Sequence, residues 1–154
     1  MESRWRETLI FELAGRRFGF PASDVQELVR IVTITPLPLG SGPVEGVINL
    51  RGLVVPVFDL RARLGLPAKA AEIHESLVIV RRDGRAVAIR VDRPVELATL
   101  VEGDVEASGP LVGGGEGASA GVAKLPEGLA VLLDLAALLG PSPSWADGLD
   151  GARL

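Results

Sequence analysis

The chain has 154 residues, of which 47% are hydrophobic and 23% charged, with 19 Gly, 11 Pro and no Cys. This composition predicts one folded domain rich in turns, and it excludes disulfides, thiolate metal sites and thiol nucleophiles. Residues 1–99 carry 14 basic and 12 acidic side chains, whereas residues 100–154 carry 2 and 8, and this acidic end argues against a nucleic-acid partner because phosphate binding needs concentrated positive charge.

The first 30 residues predict a hairpin followed by a short helix. Two apolar runs around Gly15, between residues 9 and 20, have the pattern of two antiparallel strands. After Pro21, Ser23 and Gln26 have the spacing of a capping box. Val25, Leu28 and Val29 would share one face of that helix. The β-branched stretch 29–34 is expected to be extended, and the proline-rich stretch 35–43 to be a surface loop.

Residues 46–59 predict a second hairpin, with its turn at Arg51-Gly52. The second strand is nearly all apolar, which predicts burial on both faces. Pro56 cannot donate a ladder hydrogen bond, so that strand is expected to lie at an edge or to be bulged there. Asp59 then suits the N-cap of a helix over residues 60–64.

The second half of the chain repeats this plan, since residues 77–90 predict a hairpin with its turn at Asp83-Gly84. A shift of 69 residues places Gly15 on Gly84. Near the end, an apolar strand again reaches an aspartate, Asp134, which precedes a leucine-rich helical turn. The repeat predicts two similar β units packed together.

The residue types needed for catalysis or metal binding are sparse. His74 is the single histidine and is expected to be a solvated loop side chain. The glycine-rich stretch 113–120 contains a formal G-x-G-x-x-A, but no helix is predicted behind it, so it is interpreted as a flexible loop and not a dinucleotide site. The basic tip at residues 81–85 is interpreted as a solvated turn, with a contact patch as the alternative, and the acidic pair Asp24 and Glu27 is interpreted as a solvent-exposed face. These residues therefore indicate no catalytic, metal or cofactor site.

Arg51 is the side chain most suggestive of function, because it occupies a tight turn between two apolar strands. A guanidinium on a rigid base has five donors in a fixed geometry that suits a carboxylate. An ordinary exposed turn arginine is the alternative interpretation.

Residues 44–66 resemble the centre of the CheW family of chemotaxis coupling proteins. The run G-V-x-N-L-R-G-x-V-x-P-V-x-D-L-R is specific to that family, and the flanks F-x-L-x-G-x-x-F-G-F and V-Q-E-L also fit. The resemblance covers about residues 8–141, between an N-terminal segment 1–7 and a tail 142–154. It implies a mainly β fold of two five-stranded SH3-like barrels, subdomain 1 over about 8–75 and subdomain 2 over about 76–141. Residues 108–121 depart from it, being rich in Gly and Ala where the family has better-formed strands.

The resemblance also implies a function and a site. The function is that of a non-enzymatic cytoplasmic adaptor that is recruited to membrane receptor arrays. The adaptor couples the cytoplasmic tip of methyl-accepting chemoreceptors to the regulatory domain of a chemotaxis histidine kinase. It binds no nucleic acid and does not insert into the membrane. The receptor-facing groove would lie between the subdomains, where Glu27 and Arg51 could pair. Its residues, matched by position, are Val25, Glu27, Gly46, Asn49 and Arg51. Two alternatives stay open: a paralogue serving another two-component pathway with one of the two partners, and a small-ligand barrel or enzyme.

Overall fold

The computed structural model describes residues 3–37, 43–107 and 118–140 as two packed β-sheets with two very short helices. The predicted mainly β fold of two barrel-like units is confirmed. The tail 142–154 and most of the glycine-rich stretch lie outside the described residues. The strands are β1 (Glu7–Leu13), β2 (Arg16–Pro21), β3 (Val25–Arg30), β4 (Val44–Leu50), β5 (Leu53–Phe58), β6 (Ser76–Arg82), β7 (Arg85–Val91), β8 (Arg93–Thr99), β9 (Val105–Ala107), β10 (Ser119–Leu125) and β11 (Gly128–Leu133); the helices are α1 (Leu60–Arg63) and α2 (Leu135–Leu139), and 3-10 turns cover Ser3–Trp5, Ala22–Asp24 and Glu102–Asp104.

The two sheets exchange hairpins between the two sequence repeats. The five-stranded barrel has the order β3-β6-β7-β5-β4, and the six-stranded barrel has the order β8-β1-β2-β11-β10-β9. The hairpin β1–β2 of the first repeat thus joins strands of the second, and β6–β7 joins strands of the first. The barrels therefore do not follow the predicted division of the chain near residue 75.

The repeat is visible in the strand register as well as in the order. Glu27 of β3 lies opposite Ile79 of β6, and Glu96 of β8 lies opposite Ile10 of β1. Both pairs of equivalent positions, 27 with 96 and 10 with 79, are 69 residues apart, as the sequence repeat predicts. In each barrel the parallel neighbours, β2 with β11 and β7 with β5, join a hairpin to the strand that ends in a capping aspartate.

Alternate side chains of the central strands pack into different hydrophobic clusters, which explains why these strands are apolar on both faces. One large cluster between the barrels contains Phe11, Phe18, Phe58 and Val80, and the rings of Phe11 and Phe18 stack with centroids 5.9 Å apart. A second cluster fills the six-stranded barrel and a third fills the five-stranded barrel. The inner core of the five-stranded barrel consists of Ile48, Val55, Val57, Leu77, Ile79 and Ala88.

The predicted helix carrying Val25, Leu28 and Val29 is wrong. A single 3-10 turn over Ala22–Asp24 follows Pro21, and the chain then continues as strand β3, which pairs with β6. Burial alternates along β3 with a period of two, and Leu28 is 41% exposed. The spacing of the apolar residues in this short segment fits either a helix or a strand. Pairing with the hairpin of the other repeat makes the segment a strand.

Pro56 lies in an interior strand, so the predicted edge position is not what the sheet shows. β5 sits between β7 and β4, and Pro56 itself pairs with Val47 of β4. Pairing with β7 begins only at Val57. Pro56 is therefore the last residue of β5 before the pairing with β7 begins. A residue without an N–H is tolerated there because that side of the strand needs no ladder hydrogen bond.

Both predicted N-caps are present. The Asp59 carboxylate accepts a hydrogen bond from the Ala62 N–H at 3.1 Å. The Asp134 carboxylate accepts from the N–H groups of Ala136 at 3.0 Å and Ala137 at 3.5 Å.

We expect Asp59→Ala and Asp134→Ala each to lower the free energy of unfolding by about 0.5–2 kcal/mol, because each leaves helix N–H groups without a partner. Urea denaturation measures this, with Glu96→Ala, a change in an exposed strand residue, as the control. Both variants should bind partners normally. Lost binding at an unchanged melting temperature would show that these carboxylates are contact residues.

Candidate functional site at the end of the five-stranded barrel

The turn between β4 and β5 fixes the position of Arg51. Arg51 and Gly52 have φ angles of 52° and 87°, the left-handed pair of a two-residue hairpin turn that opposes Leu50 to Leu53. Only glycine and a few polar residues adopt this region without cost. The Asn49 side-chain oxygen accepts a hydrogen bond from the Gly52 N–H at 2.7 Å and so holds the turn in this conformation.

A bulge in β3 decides which way Glu27 faces. Val25 lies opposite Val80, which belongs to the core between the barrels, whereas Glu27 lies opposite Ile79, which belongs to the inner core. In a regular strand residues 25 and 27 would share a face, but the register shifts between them. The extra residue turns Glu27 to the inner side of the five-stranded barrel.

Glu27 and Arg51 form an ion pair across the gap between the two edges of the sheet. β3 and β4 are the edge strands of the five-stranded barrel, and the Arg51 guanidinium donates to the Glu27 carboxylate. The Arg51 side chain is 65% exposed and that of Glu27 is 29% exposed. An exposed pair of this kind stabilises the fold by at most about 1 kcal/mol. The pair therefore matters more for where it holds the Arg51 guanidinium on the surface than for the stability of the fold.

Gly46 permits a second contact across the same gap. Thr35 and Val47 exchange two backbone hydrogen bonds of 2.8 and 2.9 Å. A Cβ atom at residue 46 would lie 2.5 Å from the Thr35 carbonyl oxygen and 2.7 Å from Ile34 Cγ2. Only a residue without a side chain allows the segment after β3 to approach β4 this closely.

The structure thus brings together three of the five predicted site residues. Glu27, Asn49 and Arg51 meet at one end of the five-stranded barrel, and the receptor-facing groove between the subdomains stays a prediction. Val25 is partly buried against the core between the barrels, and Gly46 acts through backbone proximity. Both support the site without presenting a functional group.

Two further residues lie at this end: Leu53, which the sequence did not single out, and Arg81, which was interpreted as part of a solvated basic tip. Leu53 begins β5 and is 53% exposed. Arg81, near the end of β6, is exposed and donates to the Gly84 carbonyl oxygen at 2.8 Å. The sequence places both next to turns, but only the parallel pairing of β5 with β7 places those turns at the same end. We call Glu27, Arg51, Leu53 and Arg81 the barrel mouth.

The structure places the single histidine on the surface. His74 is confirmed as an exposed loop side chain, with Glu72 as its acidic neighbour at 3.4 Å. Within residues 3–37, 43–107 and 118–140, no three metal-ligating side chains lie together, and no helix is long and apolar enough to cross a membrane.

The family model of the CheW-like domain matches residues 7–141. The chain belongs to the CheW-like domain family. It is 31% identical over 101 residues to the chemotaxis protein CheW of Rhizobium meliloti (strain 1021), which covers 66% of this chain and 65% of that protein. It is 30% identical over 100 residues to the chemotaxis protein CheW of Thermotoga maritima, covering 65% of this chain and 66% of that protein. The matches thus span slightly less than two thirds of each relative.

A solved relative confirms the fold of this CheW-like domain. The crystal structure of the scaffolding protein TtCheW from Thermoanaerobacter tengcongensis superimposes with a TM-score of 0.76 at 29% identity, covering 84% of this chain and 88% of that one. The CheW-like match includes the whole barrel mouth. The predicted family is confirmed, and a scaffolding relative agrees with the prediction that the domain is not an enzyme.

Proposed function

We propose that this CheW-like domain is a chemotaxis adaptor that binds the cytoplasmic tip of a chemoreceptor and the regulatory domain of a chemotaxis histidine kinase at the same time. The relatives named above are chemotaxis and scaffolding proteins, which favours chemotaxis over another two-component pathway. By holding both partners in a membrane receptor array, the adaptor would pass a receptor's conformational bias to the kinase as a coupling free energy.

The observation that carries the receptor part of this proposal is the Glu27–Arg51 ion pair. Arg51 is exposed and lies on a turn that a hydrogen bond to Asn49 holds in place. The Glu27 carboxylate, which a strand bulge turns toward Arg51, orients the guanidinium. Such a pair stabilises the fold only slightly. It does hold a guanidinium in a fixed position where a partner can accept its hydrogen bonds. The kinase domain would bind a sheet surface of the first repeat, away from the mouth.

Arg51→Glu is expected to weaken binding of a receptor-tip fragment by about 1–3 kcal/mol, because a like charge would then face Glu27 and the partner. The melting temperature should barely change, since an exposed pair contributes little. Kinase-domain binding should also be unaffected. Isothermal titration calorimetry against both fragments measures this.

Two further variants make the test specific. The double exchange Glu27→Arg with Arg51→Glu restores the pair in reverse, so a double-mutant cycle gives its coupling energy. Arg30→Glu changes an exposed arginine of the same barrel, in the strand that also carries Glu27, and should leave binding intact. If Arg51→Glu loses only kinase binding, the assignment of the two partners is reversed. If it binds both fragments normally, Arg51 is an ordinary exposed turn arginine.

A further inference from the structure

We infer that the barrel mouth recognises a receptor segment that presents a carboxylate beside an aliphatic side chain, with Arg81 receiving the carboxylate and Leu53 the aliphatic group. This inference rests on the proposed function and extends it. It adds two contact residues from outside the Glu27–Arg51 pair and specifies the chemistry of the partner.

Strand pairing places Arg81 beside the Arg51 turn. β5 and β7 run parallel, with Val57 opposite Ala88. β5 begins at Leu53, four residues before Val57, and β7 begins at Arg85, three residues before Ala88, so the β4–β5 and β6–β7 turns project from the same end of the barrel. Arg81 therefore lies at the same end of the barrel as Arg51, although the two are 30 positions apart along the chain.

The side chain of Arg81 is on the inner side of the sheet and is held in place. It lies two residues after Ile79 of the inner core, and alternate residues of a strand share a face. Its cross-strand partner Ala86 also packs against that core. The hydrogen bond to the Gly84 carbonyl oxygen, at 2.8 Å, fixes the guanidinium beside the turn.

The charges at the mouth leave Arg81 available for a ligand. The Glu27 carboxylate is already paired with Arg51. Among the described residues no acidic side chain forms an ion pair with Arg81, the neighbouring turn residue Asp83 included. An exposed guanidinium without a carboxylate partner is a donor array suited to an acidic side chain.

The apolar half of the mouth is formed by Leu53 above a partly buried floor. Leu50 and Ala86 pack against the inner core while remaining partly open to solvent, and Leu53 is 53% exposed. Leu53 shares the inner face with Val55, two residues along β5. An aliphatic side chain placed here would remove both its own surface and that of Leu53 from water.

The test uses two variants and two matched controls, titrated with a soluble receptor-tip fragment by calorimetry. We expect Leu53→Ser to weaken binding about 5–10-fold and Arg81→Glu about 10-fold, as for contact residues near the centre of an interface. Leu129→Ser changes a leucine of the six-stranded barrel that is 64% exposed, and Arg30→Glu changes an exposed arginine far from the turns. Both controls should bind like the wild type.

A charge exchange identifies the partner group. Each Glu or Asp of the fragment is changed in turn to Arg, and at least one change should restore binding to Arg81→Glu while weakening binding to the wild type. Failure of every exchange would overturn the carboxylate assignment, and an unchanged Leu53→Ser would overturn the aliphatic one. If both mouth variants bind normally while Arg51→Glu does not, this inference fails and the proposed function stands; if the wild type binds no receptor tip, both fail.

Discussion

Replacing Arg90 by Met is expected to lower the free energy of unfolding by about 3–5 kcal/mol at pH 7. The change leaves the buried Glu75 with only Lys69, 3.8 Å away, and removes the cation from the partly buried Glu45. Arg90 closes the other end of the five-stranded barrel. It donates to Glu75 at 2.8 Å, to Glu45 at 3.2 Å and to the Lys69 carbonyl oxygen at 2.7 Å. Glu75 is only 1% exposed, so water cannot replace the guanidinium.

The loss should shrink as the pH is lowered, because a protonated carboxyl carries no charge to bury. Burial raises the pKa of Glu45 even though Arg90 opposes the shift. A raised pKa means that Glu45 binds its proton more tightly in the folded chain than in the unfolded chain. Protonation of Glu45 therefore stabilises the fold at low pH, and this stabilisation is lost as the pH rises through the folded-state pKa of Glu45.

Urea denaturation at pH 7 and pH 5 measures both effects. Arg93→Met is the control, because Arg93 pairs with Glu12 at 3.0 Å while 52% exposed, and its loss should cost at most about 1 kcal/mol. A small loss in Arg90→Met, equal at both pH values, would show that the buried charges do not depend on Arg90.

Gly46→Ala is expected to lower the free energy of unfolding by about 1–3 kcal/mol through overpacking. The new methyl group would meet the Thr35 carbonyl oxygen at 2.5 Å, and a backbone atom cannot rotate away as a side chain can. The segment before residue 37 must then move off β4, which breaks the two hydrogen bonds between Thr35 and Val47.

Thermal denaturation, with hydrogen exchange at Val47, follows this change. Gly103→Ala is the matched control, since a Cβ there would meet nothing within 4 Å. We expect faster exchange of the Val47 amide in Gly46→Ala alone. Unchanged stability together with unchanged exchange would show that the chain absorbs the methyl group without opening the contact.

The hairpins, turns and caps could be predicted from sequence because each depends on neighbours along the chain. Gly15, Gly52 and Gly84 adopt the positive φ that their turns need. Asp59 and Asp134 satisfy N–H groups two or three residues away. The repeat also predicted two similar units. In each of these cases the information lies within a few residues of the feature.

What could not be predicted depends on strands from different repeats. Residues 25–30 form a strand because β6 is beside them, and the hairpin exchange that brings β6 there leaves no local signal. Glu27 faces Arg51 only because of a one-residue bulge. Arg81 joins the mouth only through the pairing of β5 with β7. Glu27, Asn49 and Arg51 were therefore predicted as site residues, whereas their meeting at one end of the five-stranded barrel was not.

Mixing all three proteins tests whether one chain holds a receptor and a kinase together. Analytical ultracentrifugation of the chain with a receptor-tip fragment and a kinase regulatory domain, each first in pairs and then together, resolves the species present. We predict a ternary complex that Arg51→Glu reduces to the pair of chain and kinase domain. Two binary complexes that compete, with no ternary species, would contradict the account.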